Sequence, residues 1–487
     1  MSIGKWLTAT TIITITLIIA TITIITTLKK CRISQLQACK QHTRSVTAHM
    51  RPAVNGASFF LRGATMQMTL HLSASSAISC EQEKKAFPYG HTGRGNMTSC
   101  KPIRGLATVS LTTIVAACST PYSSPSFESR PPGKTDFPGV AALVEAAPNH
   151  RVDVLMVHGM CTHGRDWADD AVKNLNFALG GTDQIKLDAR PVEGTKAVLY
   201  QQTLTVPTGT IRASALVWSP IVAPLKHQLC FDQTKKSDSC VAGGFAKPAY
   251  PYERASLNAA LKGGLLDDCL ADAIIYQGKS RDAISEQIQK AIVTASSPSG
   301  DAGTPTDLFK AAASETTPLV LISESLGSKM ALDAIYKLVT SPNADASAAG
   351  RQTFDRTTQI FMGANQMPIL ALADQSLEGV EVVRAGYPSY PSDPLAALIA
   401  IKSKRPSTLA VPAPHVIAFT DPNDLLSYIL VPSKQVTSYD VVDVVVSNDN
   451  TYFGFLERPD NAHMGYRQNR TVFKLIACGK PSNGFCK

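Results

Sequence analysis

"TPLVLISESLGSKMALDA", residues 317–334, is the stretch on which the reading of this chain turns. The apolar run Leu319-Val320-Leu321-Ile322 has the make-up of a buried strand. A helix-like segment carrying Met330, Leu332 and Ile335 follows at once. Only Ser323-Glu324-Ser325-Leu326-Gly327 lies between them, without proline or loop padding. A strand that becomes a helix so abruptly holds one residue at the apex in a strained conformation. That side chain stands clear of the backbone and the next N–H points the same way, as a serine nucleophile requires. The plainer alternative is an ordinary turn with a solvated serine.

The surroundings suit a strand of a larger sheet. From about residue 139 the chain alternates strand-like and helix-like segments, the α/β pattern. "RVDVLMVHG" (151–159), "KAVLYQQTLTV" (196–206), "GTIRASALVW" (209–218), "TTQIFMGA" (357–364), "HVIAFTD" (415–421) and "DVVDVVVS" (440–447) read as strands. "WADDAVKNLNFAL" (167–179) and "DAISEQIQKAIVTA" (282–295) have helical periodicity. Residues 220–316 interrupt the alternation and are expected to form a cap. The fold class is thus α/β, with a mostly parallel central sheet flanked by helices.

The 323–327 turn resembles the nucleophile elbow of the α/β-hydrolase family, Gly-x-Ser-x-Gly, with Ser325 as nucleophile and Gly327 as second glycine. Ser323 replaces the first glycine, and small residues are wanted at both places because two backbones pass closely there. The resemblance implies an α/β-hydrolase fold with a cap insertion and a Ser, acid, His chain order. "HVIAFTDPNDLL" presents two acids after a strand. Asp424-Leu425-Leu426 fits the family's acid better, whereas Asp421 before Pro422 suits a cap of the turn; both stay open. The histidine left after the last strand is His463, in "NAHMGY". His158-Gly159 after an early strand corresponds to the family's oxyanion loop, so Met160 and Leu326 would supply the two N–H donors. His158 would shape that loop without titrating.

Charge excludes one broad class of function. The formal net charge is +9, but residues 1–96 hold eleven Lys/Arg against only Glu81 and Glu83, so the remainder is neutral. Nucleic-acid binding through a basic face therefore has little support. Residues 7–28 are uncharged over 22 positions, a membrane-spanning length, although nine threonines also suit β-prone low complexity. Lys101 and Arg104, followed by the apolar 105–117, have the form of an export signal, or of a short buried helix. The closing Val115-Ala116-Ala117-Cys118 resembles the lipobox of bacterial lipoproteins, which implies lipidation at Cys118. Met97 would then be the physiological start and 1–96 an overextended reading frame; a two-pass anchor is the alternative. Ser/Pro-rich 118–138 reads as a tether and 139–487 as the hydrolase domain. Both readings export the domain, and Cys230/Cys240 and Cys478/Cys486 enclose short loops suited to disulfides.

The expectation is a membrane-tethered serine hydrolase in a bacterial cell envelope, acting on a small-molecule acyl ester. Ser325, His463 and Asp424 would carry the chemistry, with no metal or organic cofactor. A catalytically inactive hydrolase fold serving as an envelope binding or scaffold protein is the alternative, and a peptidase a third.

Overall fold

The computed structural model describes residues 118–119, 125–234, 236–245, 247, 251–297, 304–375, 393–404, 412–430, 439–452 and 457–481. All belong to the compact unit Ser99–Lys487. The expected membrane helix 7–28, the export signal 97–117 and Cys486 lie outside the described residues. Among the described residues no helix is long and apolar enough to cross a membrane.

Nine strands form one mixed sheet: β1 (Ser126–Arg130), β2 (Arg151–Val157), β3 (Asp188–Pro191), β4 (Val198–Val206), β5 (Gly209–Val217), β6 (Leu319–Glu324), β7 (Thr357–Gly363), β8 (His415–Thr420) and β9 (Val441–Val445). Their spatial order is β1-β9-β8-β7-β6-β2-β5-β4-β3. The run from β5 through β2, β6, β7 and β8 to β9 is parallel. β4 returns antiparallel to β5 as a hairpin through Pro207 and Thr208, and β3 and β1 form antiparallel edges.

The central strands are apolar on both faces because helices cover both. Val152, Val154 and Met156 of β2 pack on one side with Leu175 and Phe473. Leu155 and Val157 pack on the other with Ile288, Leu326 and Ile335. The helices that carry these residues are α1 (Arg165–Ala178), α2 (Arg281–Ser296), α3 (Leu326–Val339) and α4 (Arg470–Cys478). Asp153 is the polar exception in β2; it is buried beside Arg212 and Arg356, both ion-paired to it, at the end of the strand away from the site.

Two segments differ from expectation. Ser126–Arg130, within the expected tether, pairs in register with β9 as an edge strand. An edge strand needs only one apolar face, and Phe127 supplies it, packed against the core. Helix α2, within the expected cap, buries Ile284, Ile288 and Ile292 at helical spacing against the sheet layer. The helical insertion proper therefore lies within about 219–277, from Ser219–Lys226 to Ala271–Gln277.

The chain lays β3, β4 and β5 on one side of β2 and then crosses to place β6 on the other. Such a switch point opens a crevice at the carboxyl ends of the two strands, where ligands of open α/β sheets bind. Here those ends carry His158-Gly159 and Ser325.

Candidate active site

Ser325 stands between the last residue of β6 and the first of α3 with φ 52° and ψ −127°. This is costly backbone for a residue with a Cβ, by about 1–3 kcal/mol, and it persists only where the surroundings enforce it. They do so at three points. Ser325 N–H donates to Gly363 O at 2.8 Å, tying the apex to β7. A Cβ on Gly327 would lie 2.3 Å from His158 O, and one on Gly159 2.7 Å from Ser325 Cβ. Both positions must be glycine for the loop after β2 to pass over the turn. Ser323 fills the remaining small-residue position, fully buried, and its Oγ accepts from Ser328 Oγ at 3.0 Å.

The turn delivers Ser325 Oγ to within 3.1 Å of His463 Nε2. His463 Nδ1 lies 2.8 Å from Asp424 Oδ1. An ionised carboxylate can only accept, so Nδ1 carries the ring proton and the Nε2 lone pair faces the serine hydroxyl. All three side chains are buried. His463 sits in the short helix Pro459–Met464, which Asn448 Nδ2 holds by donating to Ala462 O at 2.7 Å. Asp424 also accepts from Leu426 N at 3.0 Å and from Tyr466 OH at 3.0 Å. Its carboxylate is thereby aimed at the imidazole.

Asp421 faces elsewhere. Its two carboxylate oxygens accept from Asn423 N at 2.9 Å and from Asn448 N at 2.6 Å. It closes the turn after β8 onto the loop after β9. Of the two acids left open by the sequence, Asp424 is the one brought to His463.

The loop after β2 is built around His158. Trp218 N donates to His158 Nε2 at 3.0 Å, and His158 Nδ1 lies 2.8 Å from Gly159 O, which makes Nδ1 the protonated nitrogen. The Trp218 ring stacks on the imidazole at 4.6 Å, and its Nε1 donates to His158 O at 2.8 Å. Burial, and secondarily the neighbouring His163, holds the His158 pKa well below its ordinary value. Burial likewise lowers that of His163 to about 4. His163 Nε2 donates to Met160 O at 3.0 Å, fixing the peptide that follows Met160. Among the described residues, neither Met160 N–H nor Leu326 N–H has a hydrogen-bond partner. Leu326 follows Ser325 directly in the chain, and Met160 follows Gly159, the residue whose backbone passes against the Ser325 side chain.

Cys161 continues this loop with φ 77° and is disulfide-bonded to Cys269 of the helical insertion. Thr162 N donates to Asp268 Oδ2 at 3.0 Å, and Lys226 Nζ reaches Asp268 Oδ1 at 2.8 Å and Asp272 at 3.1 Å. The insertion therefore grips the loop that carries Met160. Cys230–Cys240 forms the second disulfide, and Cys478 is also disulfide-bonded.

Three partners of the site escape sequence reasoning. Tyr466 was visible only as part of "NAHMGY"; its position three residues after His463 puts it on the same helical face, where its hydroxyl reaches Asp424. Gln366 follows β7 and brings its buried side-chain amide to 3.5 Å from His463 Nε2, with no motif to mark it. The Cys161–Cys269 pairing spans 108 residues and has no local signature.

Chemically, a buried hydroxyl whose proton faces an imidazole lone pair, itself backed by a carboxylate, can be deprotonated as it attacks an electrophile. Among the described residues no group of three or more His, Cys, Asp or Glu is arranged to hold a metal ion. No protein-family model, curated protein or solved structure matches the chain.

Proposed function

We propose that this protein is a serine hydrolase of α/β-hydrolase fold that cleaves an ester-type acyl bond. In this reading it is tethered at Cys118 to a bacterial envelope membrane with its catalytic domain outside the cytoplasm. The observation that carries the chemistry is the continuous Ser325–His463–Asp424 relay with Ser325 at a positive φ. The switch-point position of Ser325 and the glycine-enforced approach of the loop after β2 support the fold assignment.

The reaction follows from those contacts. Ser325 Oγ attacks the ester carbonyl while His463 Nε2 takes the hydroxyl proton. Asp424 keeps Nδ1 protonated and stabilises the resulting imidazolium. The tetrahedral oxyanion takes hydrogen bonds from Met160 N–H and Leu326 N–H; loss of one such donor typically slows turnover by roughly 10²–10³. His463 then returns the proton to the departing alkoxide, leaving Ser325 acylated. Water, deprotonated by the same imidazole, attacks the acyl-enzyme and releases the acid.

Hydrolysis of nitrophenyl acyl esters by the wild type and by Ser325→Ala, at matched folded fraction, tests this. Activity in the wild type and its loss in the variant are expected. Equal turnover by both would remove Ser325 from the mechanism, and inactivity of the folded wild type would favour a binding or scaffold protein.

A further inference from the structure

The path of the chain into the domain bears on how the site is oriented. β1 runs antiparallel to β9, with Ser126 opposite Val445 at the carboxyl end of that strand. This is the edge of the sheet at which Ser325 and His463 lie. Cys118–Ser119 pairs with Thr451–Tyr452, in the connection between β9 and His463. The polypeptide thus enters the domain at the active-site edge. Even fully extended, the stretch from Cys118 to Ser126 spans at most roughly 28 Å. An anchor at Cys118 holds that edge, and no other, close to the bilayer.

Exposed apolar side chains are distributed the same way. Among the described residues every large exposed hydrophobic except Phe177 lies in the helical insertion or in a loop leaving the carboxyl ends of the parallel strands. Phe231, Leu257 and Ile274 project from the insertion at 62%, 67% and 67% exposure, and Leu372, Leu425 and Met464 from the loops. Helices α2, α3 and α4 on the sheet faces contribute none. Apolar exposure confined to one edge marks an interaction surface rather than random scatter.

We propose that this edge, insertion included, is a membrane-docking face, so that Ser325 opens toward the lipid bilayer and draws its acyl ester from it. The proposal rests on the reading of Cys118 as the lipid anchor. The apolar face adds a second, side-on contact to the acyl chains, as stable attachment requires more than one signal. Phe177 lies at the end of α1 remote from this edge and serves as an internal control.

The test uses full-chain protein carrying Leu257→Trp, Ile274→Trp or Phe177→Trp, reconstituted into phosphatidylethanolamine/phosphatidylglycerol vesicles with or without brominated phosphatidylcholine. The native tryptophan signal of the unsubstituted protein is subtracted. Bromolipid is expected to remove most of the added emission at 257 and 274 and to leave that at 177 unchanged. Equal quenching at all three sites, or none at 257 and 274 in vesicle-bound protein, overturns the orientation while leaving the anchor intact. Failure of the full chain to stay with vesicles, with Cys118→Ser behaving identically, overturns the anchor reading and the proposal with it. A lipid-free dimer in which Trp at 257 is already shielded would assign the face to a second copy instead.

Discussion

Asp424 and Asp421 divide the polar work of the turn after β8 in a way that predicts separable phenotypes. Asp424→Asn places an amide against His463 Nδ1 and favours the wrong tautomer, so kcat is expected to fall by roughly 10⁴ with the fold retained. Asp421→Asn leaves the relay intact but sets an NH2 group against one of the Asn423 and Asn448 backbone amides in place of its acceptor oxygen, costing about 1.5–3 kcal/mol of stability instead. Steady-state kinetics and denaturant melts on both variants check this, and the reverse ranking would transfer the acid's role to Asp421. Burial keeps His158 and His163 neutral in the folded protein, the latter down to about pH 4. The unfolded chain protonates them from about pH 6.5 downward, so it binds more protons in that window and stability falls as pH drops from about 6.5 to 4. Melting temperatures across this range are expected to decline, and His163→Gln to flatten the slope; an unchanged slope would contradict the buried-neutral state. Ser325, His463 and the pair Asp421/Asp424 were legible in sequence because the family that the 323–327 turn resembles has an acid and a histidine after later strands; which acid meets His463 was not. Tyr466 and Gln366 were not, because their roles depend on which loops meet above the sheet.

The loop after β2 is held less by its own sequence than by the insertion facing it. Its His-Gly dipeptide was readable, yet the Cys161–Cys269 disulfide and the Thr162–Asp268 contacts join segments far apart in sequence, and such pairings are set by tertiary geometry alone. Cys161→Ala with Cys269→Ala is expected to cost about 2–4 kcal/mol of stability. Ester turnover should drop further than thermal stability alone explains, because Met160 N–H loses its fixed position, while KM changes less than kcat. Unaltered kcat in the folded double variant would show that the staple does not position the loop. The same distinction between local and non-local signal explains the strands. β2 and β6 declare themselves as apolar runs because both faces are buried. β1 hides in a Ser/Pro-rich stretch because its partner β9 supplies most of the burial, and β3 is a short edge strand whose residues are largely exposed.

At the scale of the molecule, a mostly parallel sheet with one switch point, glycine-enforced contact between two loops and a buried relay converge on one crevice. The α/β class was evident from the alternation of segments, whereas the order of the nine strands, with β2 between β6 and β5, could not be read from any one of them. Everything proposed for the site depends on an activated Ser325 hydroxyl, and a fluorophosphonate probe reads this out because only an activated serine displaces its fluoride. Intact mass and peptide mapping after labelling are expected to find one adduct, on Ser325, formed slowly in Asp424→Asn and absent in Ser325→Ala. A folded wild-type protein that takes up no label, or takes it up at another residue with Ser325→Ala labelling equally well, would show that Ser325 is not activated.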